Sequence, residues 1–342
     1  MAARVAGRRC FGVTMVVALV GALMAAACTG QAPPAEPPPS SASPTGPAER
    51  VPSGGSVAGL AGWLYYYSYP ELYRLTPAGL ELVLRAPHAT VSPDGLQIAY
   101  VDDAGELIVT DRDGGQARSV LSDVIGLGFE PSWSADSQWL LVARSLGGGS
   151  ESPVFGKVDV ASGEFTPLRS QIEGIHPLWS ADGRRMGYAT GTCELMVADA
   201  DGSNQRMVPV IGNPDPAVNP QRWASCDPYS ISPDGSMMAI ARRVLDQPMG
   251  DIGRDLAANV VIDTRTGAEV PLPVPGQIWA ALFLPDGGVL VRSTNDGGAT
   301  VTLTLLDNDL TVTAQVPEPA AAGANPCGQS AFACGLLAYT PN

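Results

Sequence analysis

Ser92-Pro93-Asp94-Gly95-Leu96-Gln97-Ile98-Ala99-Tyr100 reads as a tight turn running into a strand, and its opening four residues return along the chain. The copies are Ser134-Ala135-Asp136-Ser137, Ser180-Ala181-Asp182-Gly183, Ser232-Pro233-Asp234-Gly235 and Leu284-Pro285-Asp286-Gly287, at intervals of 42 to 52 residues. Every copy keeps its Asp. The order suits a type I turn: Ser bonds back to backbone, Pro presets φ, Asp tolerates the bridge conformation, and Gly leaves at positive φ. A β-rich run follows, such as Gln97-Ile98-Ala99-Tyr100, Trp139-Leu140-Leu141-Val142 or Val289-Leu290-Val291, so each copy is a hairpin tip.

A third strand recurs from Glu106 to Asp111, Val154 to Asp159, Glu194 to Asp199, Asn259 to Asp263 and Val301 to Asp307. Four of these end close to a glycine (Gly114, Gly163, Gly202, Gly267), which marks a second turn and a fourth strand. Four-stranded units of this length cannot bury both faces alone, and they stack radially as β-propeller blades. Trp63 to Tyr67, Glu71 to Leu75 and Leu80 to Leu84 imitate the second, third and fourth strands of one more blade that lacks its innermost strand. The apolar stretch Ala331 to Tyr339 supplies it. The expected fold is all-β: a six-bladed β-propeller, its first blade closed by the C-terminal strand.

Trp133-Ser134, Trp179-Ser180 and Ile98-Ala99-Tyr100 match a Trp-Ser-Pro-Asp-Gly signature followed by an Ile-Ala-Tyr-like strand. In these residues the chain resembles the TolB-like family of WD-repeat-like propellers, over roughly residues 60 to 340. The resemblance implies a scaffold for protein interaction. No partner-binding motif accompanies it, so the family's partner is not carried over.

The composition agrees. Of 342 residues 45% are hydrophobic and 16% charged, which supports a large core and excludes a disordered polymer. A net charge of −14 argues against nucleic acid and anionic lipid headgroups as partners, because both require a clustered positive surface. The positive residues Arg4, Arg8 and Arg9 precede an uncharged apolar run from Phe11 to Ala27 that stops at Ala25-Ala26-Ala27-Cys28. Residues 1–27 therefore read as a signal peptide, with the export route left open by Arg8-Arg9. The small residues before Cys28 resemble a bacterial lipobox, which implies acylation of Cys28 and an extracytoplasmic protein held at the cell membrane by its lipid alone. Ordinary cleavage after Ala-x-Ala would instead give a secreted protein. Residues 28–56 form a Pro/Ser-rich tether, reaching up to about 90 Å at ~3.1 Å per polyproline-like residue. The propeller occupies 57–342.

Cys193, Cys226, Cys327 and Cys334 remain in the exported body, and an oxidising address suggests disulfides. Three pairings are open; the local ones, Cys193 with Cys226 and Cys327 with Cys334, are expected. Zinc is disfavoured, since the chain has no Cys-x-x-Cys and only two histidines.

Propeller geometry puts the tips and the third-to-fourth-strand turns on one tight face, and the remaining loops on the other. The long excursions Arg144 to Pro153, Pro209 to Gln221 and Arg242 to Ala258 gather on this second face, as a binding surface requires. Counting back four residues from each tip reaches His88, Glu130, His176, Pro228 and Ala280, with Asp227 beside the fourth. His88, Glu130, His176 and Asp227 are thus candidate ligand-binding residues on a polar rim able to hold a cation or orient a small ligand. The competing reading is that they merely start strands. Trp133, Trp179 and Phe283 are expected to pack between blades. No Gly-x-Ser-x-Gly elbow occurs, and Asp111-Arg112-Asp113-Gly114 and Asn295-Asp296-Gly297 lack the spacing of a calcium loop.

The expected function is that of a monomeric binding platform engaging an envelope protein or small ligand through the loop-rich face. It needs no catalysis, and no cofactor beyond calcium or another divalent cation at the rim. The alternative is a metal-dependent hydrolase similar to lactonase-type six-bladed propellers, with Glu130 and Asp227 toward calcium.

Overall fold

The repeated turn closes by a single chemical pattern. In four copies the Ser hydroxyl donates to the Asp two residues on, at 2.5 Å for Ser92, 2.6 Å for Ser134 and 2.7 Å for Ser180 and Ser232. The same hydroxyl accepts the N–H of the residue five on, Gln97, Trp139, Arg185 or Met237, at 2.9–3.0 Å. The residue after the Asp is left-handed, with φ of 67° at Gly95, 73° at Gly183, 72° at Gly235 and 90° at Gly287. Ser137 adopts φ 59° in the one copy without glycine, and its Oγ accepts the N–H of Asp94 from the neighbouring tip at 3.2 Å.

The computed structural model describes residues 56–57, 60–76, 79–145, 153–245, 258–295, 300–318 and 335–341. The signal segment, Cys28, nearly all of the tether, Cys327 and Cys334 lie outside them. Strand pairing produces six blades and one two-stranded ribbon among the described residues. Blade two contains Thr90–Val91, Gln97–Val101, Leu107–Asp111 and Arg118–Leu121; blade three, Ser132–Trp133, Trp139–Arg144, Val154–Asp159 and Phe165–Pro167. Blade four contains Ile175–Trp179, Arg185–Ala189, Leu195–Asp199 and Arg206–Met207; blade six, Gln277–Phe283, Val289–Asn295, Thr300–Leu306 and Val312–Pro317. In blade one, Leu60–Ser68, Glu71–Thr76 and Gly79–Arg85 follow the inner strand Gly335–Pro341, which sets Thr340 opposite Trp63 and Ala338 opposite Tyr65. The C-terminal closure expected from the sequence is present.

Neighbouring inner strands touch in cyclic order: Thr90–Val91, Ser132–Trp133, Ile175–Trp179, Pro228–Ile231, Gln277–Phe283, Gly335–Pro341, and back to Thr90–Val91. This closed circuit defines the ring. Two serines seal it by a device not foreseen from sequence. Ser132 Oγ accepts the N–H of Trp179 at 3.0 Å and Ser230 Oγ that of Phe283 at 3.1 Å, each satisfying the inner edge of the next blade.

Blade five departs from the four-stranded expectation. Pro228–Ile231, Met237–Ile240 and Val260–Asp263 pair in order, but the fourth position is reduced to one bridge between Ile262 and Glu269. The following Pro271, Pro273 and Pro275 lack the N–H groups that a ladder needs. The two-stranded ribbon, Trp223–Ala224 against Arg243–Val244, stands beside this blade.

The core lies between blades. Trp133 packs with Ala99, Val101 and Val109 of blade two and Leu140 of its own blade, and fully burying one such side chain contributes about 1.5–3 kcal/mol. Phe283 is buried in the cluster joining blades five, six and one, as expected. At the closing seam Arg292 pairs with Glu318 at 2.9 Å, both nearly inaccessible, and Tyr66 donates its hydroxyl to the same carboxylate. Burial, then the Glu318 charge, push the Tyr66 hydroxyl well above its ordinary value.

Candidate functional site

All four candidate residues stand where the chain arrives from one blade and enters the inner strand of the next. Glu130, His176 and Asp227 each precede a proline, which has no N–H for the ladder; Pro131 stands just before its strand, Pro228 at the start of its own, and Pro177 lies at a register shift inside Ile175–Trp179. His88 and His176 turn with φ of 55° and 50°, a left-handed backbone that costs a non-glycine residue about 1–3 kcal/mol. Both are held from outside. The His176 N–H donates to Gly128 O at 2.8 Å, and the His88 N–H donates to the Tyr67 hydroxyl at 3.0 Å. That hydroxyl in turn donates to Ala86 O at 3.1 Å. Burial, reinforced by Tyr69 and Glu130, pushes Tyr67 up to about 12, so it remains a donor. Gly126 completes the seat, since a Cβ there would come within 2.7 Å of the His88 ring.

The four side chains meet in a line. His88 Nδ1 lies 3.5 Å from Glu130 Oε1, and Glu130 Oε2 lies 2.9 Å from His176 Nδ1. His176 Nε2 lies 3.6 Å from Asp227 Oδ1, and Asp227 Oδ2 pairs with the Arg243 guanidinium. The line crosses blades two to five, and it is deepest at His176 and Asp227, whose side chains are 5% and 4% exposed. At 2.9 Å the Nδ1–H of His176 donates to Glu130, a carboxylate that can only accept, whereas 3.6 Å to Asp227 is beyond a hydrogen bond.

Asp227 owes its place to a covalent tie. Cys226, the preceding residue, is bonded to Cys193 in the Thr190–Glu194 turn of blade four, which is the expected local pair. Ala241 N–H donates to Asp227 O at 3.2 Å from the other side. Pro209 to Gln221 folds back on Asn219, whose amide donates to Trp223 O at 2.8 Å and accepts the Trp223 N–H at 2.8 Å. The hearts of the other two long loops, 146–152 and 246–257, lie outside the described residues.

Sequence reasoning passed over Arg243 and Tyr67. Arg242-Arg243 directly after the second strand of blade five was a visible signal, a basic pair in an acidic chain. Arg242 points elsewhere: its guanidinium carbon sits 3.8 Å from the Trp223 ring centroid, and it pairs with Glu269 at 3.0 Å. Tyr67 was hidden in the run Tyr65-Tyr66-Tyr67.

The rim does not suit calcium as the hydrolase alternative requires. Glu130 and Asp227 face opposite nitrogens of one imidazole, Asp227 is engaged by a guanidinium, and among the described residues no three His, Cys, Asp or Glu side chains converge as metal ligands. A second departure concerns the opposite face. The tips were expected to be tight, yet a cleft of about 530 Å³ opens there between blades three and four, with Trp179 on its wall.

No family model matches the chain, and no curated protein matches it. Solved structures do. TolB from Acinetobacter baumannii is 17% identical with a TM-score of 0.47, over 77% of this chain and 66% of that one, so the chain spans just under two thirds of that protein's length. An oligogalacturonate lyase from Vibrio parahaemolyticus is 14% identical with a TM-score of 0.45, covering 73% and 78% of the two chains. An oligogalacturonate lyase in complex with manganese is 16% identical with a TM-score of 0.44, covering 71% and 69%. A TolB and other propellers are thus among the structures this chain is similar to. Likeness at this level carries no functional argument, and the fold assignment rests on the strand pairing and the ring of inner strands.

Proposed function

We propose that this protein is an extracytoplasmic binding module that engages an envelope protein or small ligand at the channel mouth on its loop-rich face. The observation that carries the reading is the line His88, Glu130, His176, Asp227 and Arg243 across four consecutive blades. Well-packed apolar side chains would hold these junctions at least as firmly as buried charges do. Carboxylates kept there, beside two histidines in costly backbone conformations, favour recognition over scaffolding. The Cys193–Cys226 disulfide supports an oxidising compartment, and Ala25-Ala26-Ala27-Cys28 supports lipid attachment at Cys28.

Two experiments test the reading. In intact cells, a photo-crosslinker at Leu127, exposed near the rim, should give an adduct that is lost in Glu130→Gln and His176→Ala variants and kept in Arg118→Gln. Adducts indifferent to both rim substitutions, in variants that remain folded in the cell, would refute it. For the address, Cys28→Ala should move the protein from the membrane to the soluble fraction; unchanged membrane retention would rule out the lipid.

A further inference from the structure

The cleft on the tip face stands apart from the rim and has the size of a small-molecule site, about 530 Å³ against a usual range of roughly 300–1,000 Å³. Its walls are two indoles, Trp139 and Trp179, both half-buried. Trp139 breaks the repeat, because the equivalent positions in other blades hold Gln97, Arg185, Met237 and Val289. Trp179 is fixed by its indole N–H, which donates to Ala200 O at 3.2 Å. Lys157 also lines the cleft, its ammonium 4.3 Å from the Trp139 ring centroid. It is the only lysine in the sequence; the other basic residues among the 20 are all Arg.

Three carboxylates line the same space, Asp136, Asp182 and Asp201. Each spends one oxygen on its own turn. Asp136 Oδ1 accepts from Ser134 Oγ at 2.6 Å and Gln138 N–H at 3.1 Å, Asp182 Oδ1 from Ser180 Oγ at 2.7 Å and Arg184 N–H at 3.1 Å, and Asp201 Oδ1 from Ser203 N–H at 3.0 Å and Oγ at 2.5 Å. The second oxygens of Asp182 and Asp201 stand 3.6 Å from Arg184 and 3.9 Å from Arg169, beyond hydrogen-bond distance. The carboxylates are therefore rigidly held while keeping acceptor capacity.

This combination selects a chemistry. Indole faces call for C–H surface, and a lysine and an arginine set among carboxylates call for groups that both donate and accept. A simple anion would meet three carboxylates, a simple cation would meet Lys157 and Arg169, and an apolar molecule would strip water from all five without compensation. Hydroxyls on a ring with one C–H face meet every requirement. We propose that the cleft between blades three and four is a carbohydrate site, taking a neutral oligosaccharide with a sugar ring on Trp179 and its hydroxyls shared between Lys157 and the three Asp residues.

The single lysine provides the test. The mature protein is treated with an amine-acetylating reagent, and modification of Lys157 is followed by mass spectrometry with and without neutral trisaccharides of glucose, mannose, galactose or N-acetylglucosamine. At least one sugar should slow acetylation about 5-fold or more and change tryptophan fluorescence saturably in the millimolar range or tighter. Asp136→Asn and Trp179→Phe should weaken that midpoint about 10-fold or more, whereas Arg118→Gln on another blade should not. The protection assay on the unaltered protein needs no variant, so a misfolded substitution leaves it intact. No protection by any of the sugars at about 50 mM, protection that survives both substitutions, or protection only by a Lys/Arg-rich peptide would each overturn the proposal.

Discussion

His176 Nδ1 and Glu130 Oε2 meet at 2.9 Å across the junction of blades three and four, although 46 residues separate them in the chain. The contact joins two entrances that are otherwise bonded through the His176 N–H to Gly128 O, so its loss should be felt as stability. Glu130→Gln keeps the shape and removes the charge; we expect a loss of roughly 1–3 kcal/mol, seen as a lower denaturant midpoint at unchanged slope. A midpoint equal to that of the unaltered protein would mean that the contact is only geometric.

Asp227 depends on Arg243, since its side chain is 4% exposed while Arg243 reaches partly into solvent. Replacing Arg243 by Met leaves a buried carboxylate short of its cation, at a cost of about 2–3 kcal/mol once the solvent-facing side of Arg243 is discounted. Adding Asp227→Asn should recover most of that loss. A double-mutant cycle showing no coupling would contradict the pairing.

Reduction of Cys193–Cys226 should cost about 3–4 kcal/mol for a span of 33 residues. It should also release Asp227, so the Cys193→Ser, Cys226→Ser double variant should shift the imidazole resonances of His176 while leaving the phenol-ring resonances of Tyr188 in place. Resonances of His176 unchanged by the double substitution would show that the disulfide does not position the rim.

Alkali should loosen the fold through its tyrosines. Burial pushes Tyr67 and Tyr188 up to about 12, above the usual value near 10, so the unfolded chain gives up these protons first. Their contribution is whole below pH ~10 and falls by about 1 kcal/mol per pH unit and group as the pH rises toward ~12. Tyrosinate absorbance should therefore rise together with loss of near-ultraviolet dichroism. Titration of both residues near pH ~10 in a protein that stays folded would contradict this.

What was legible in the sequence was local. Ser92 to Gly95 and its copies announce a turn because Ser, Asp and Gly satisfy one another within five residues, and counting back from them found His88, Glu130, His176 and Asp227, which the structure does bring together. What escaped depends on spacing between blades. Arg243 joins the line only because the ribbon with Trp223–Ala224 carries it back toward Asp227, and Trp179 lines a cleft whose width no single blade determines. The weak outer edge of blade five was readable in principle from Pro271, Pro273 and Pro275, yet the regularity of the other copies outweighed them.

The pairing of Gly335–Pro341 with Leu60–Ser68 sets a timetable for assembly. Blades two to six can form from contiguous chain, but the first must wait for residues synthesised more than two hundred positions later, a long-range contact of the kind that slows folding. Until then Leu60–Ser68 shows a bare edge along Gly62–Tyr67. A chain cut short before Gly335 would keep that edge permanently, since every copy would lack the strand that covers it. Truncation would thus yield edge-to-edge association and aggregates in place of a smaller soluble ring.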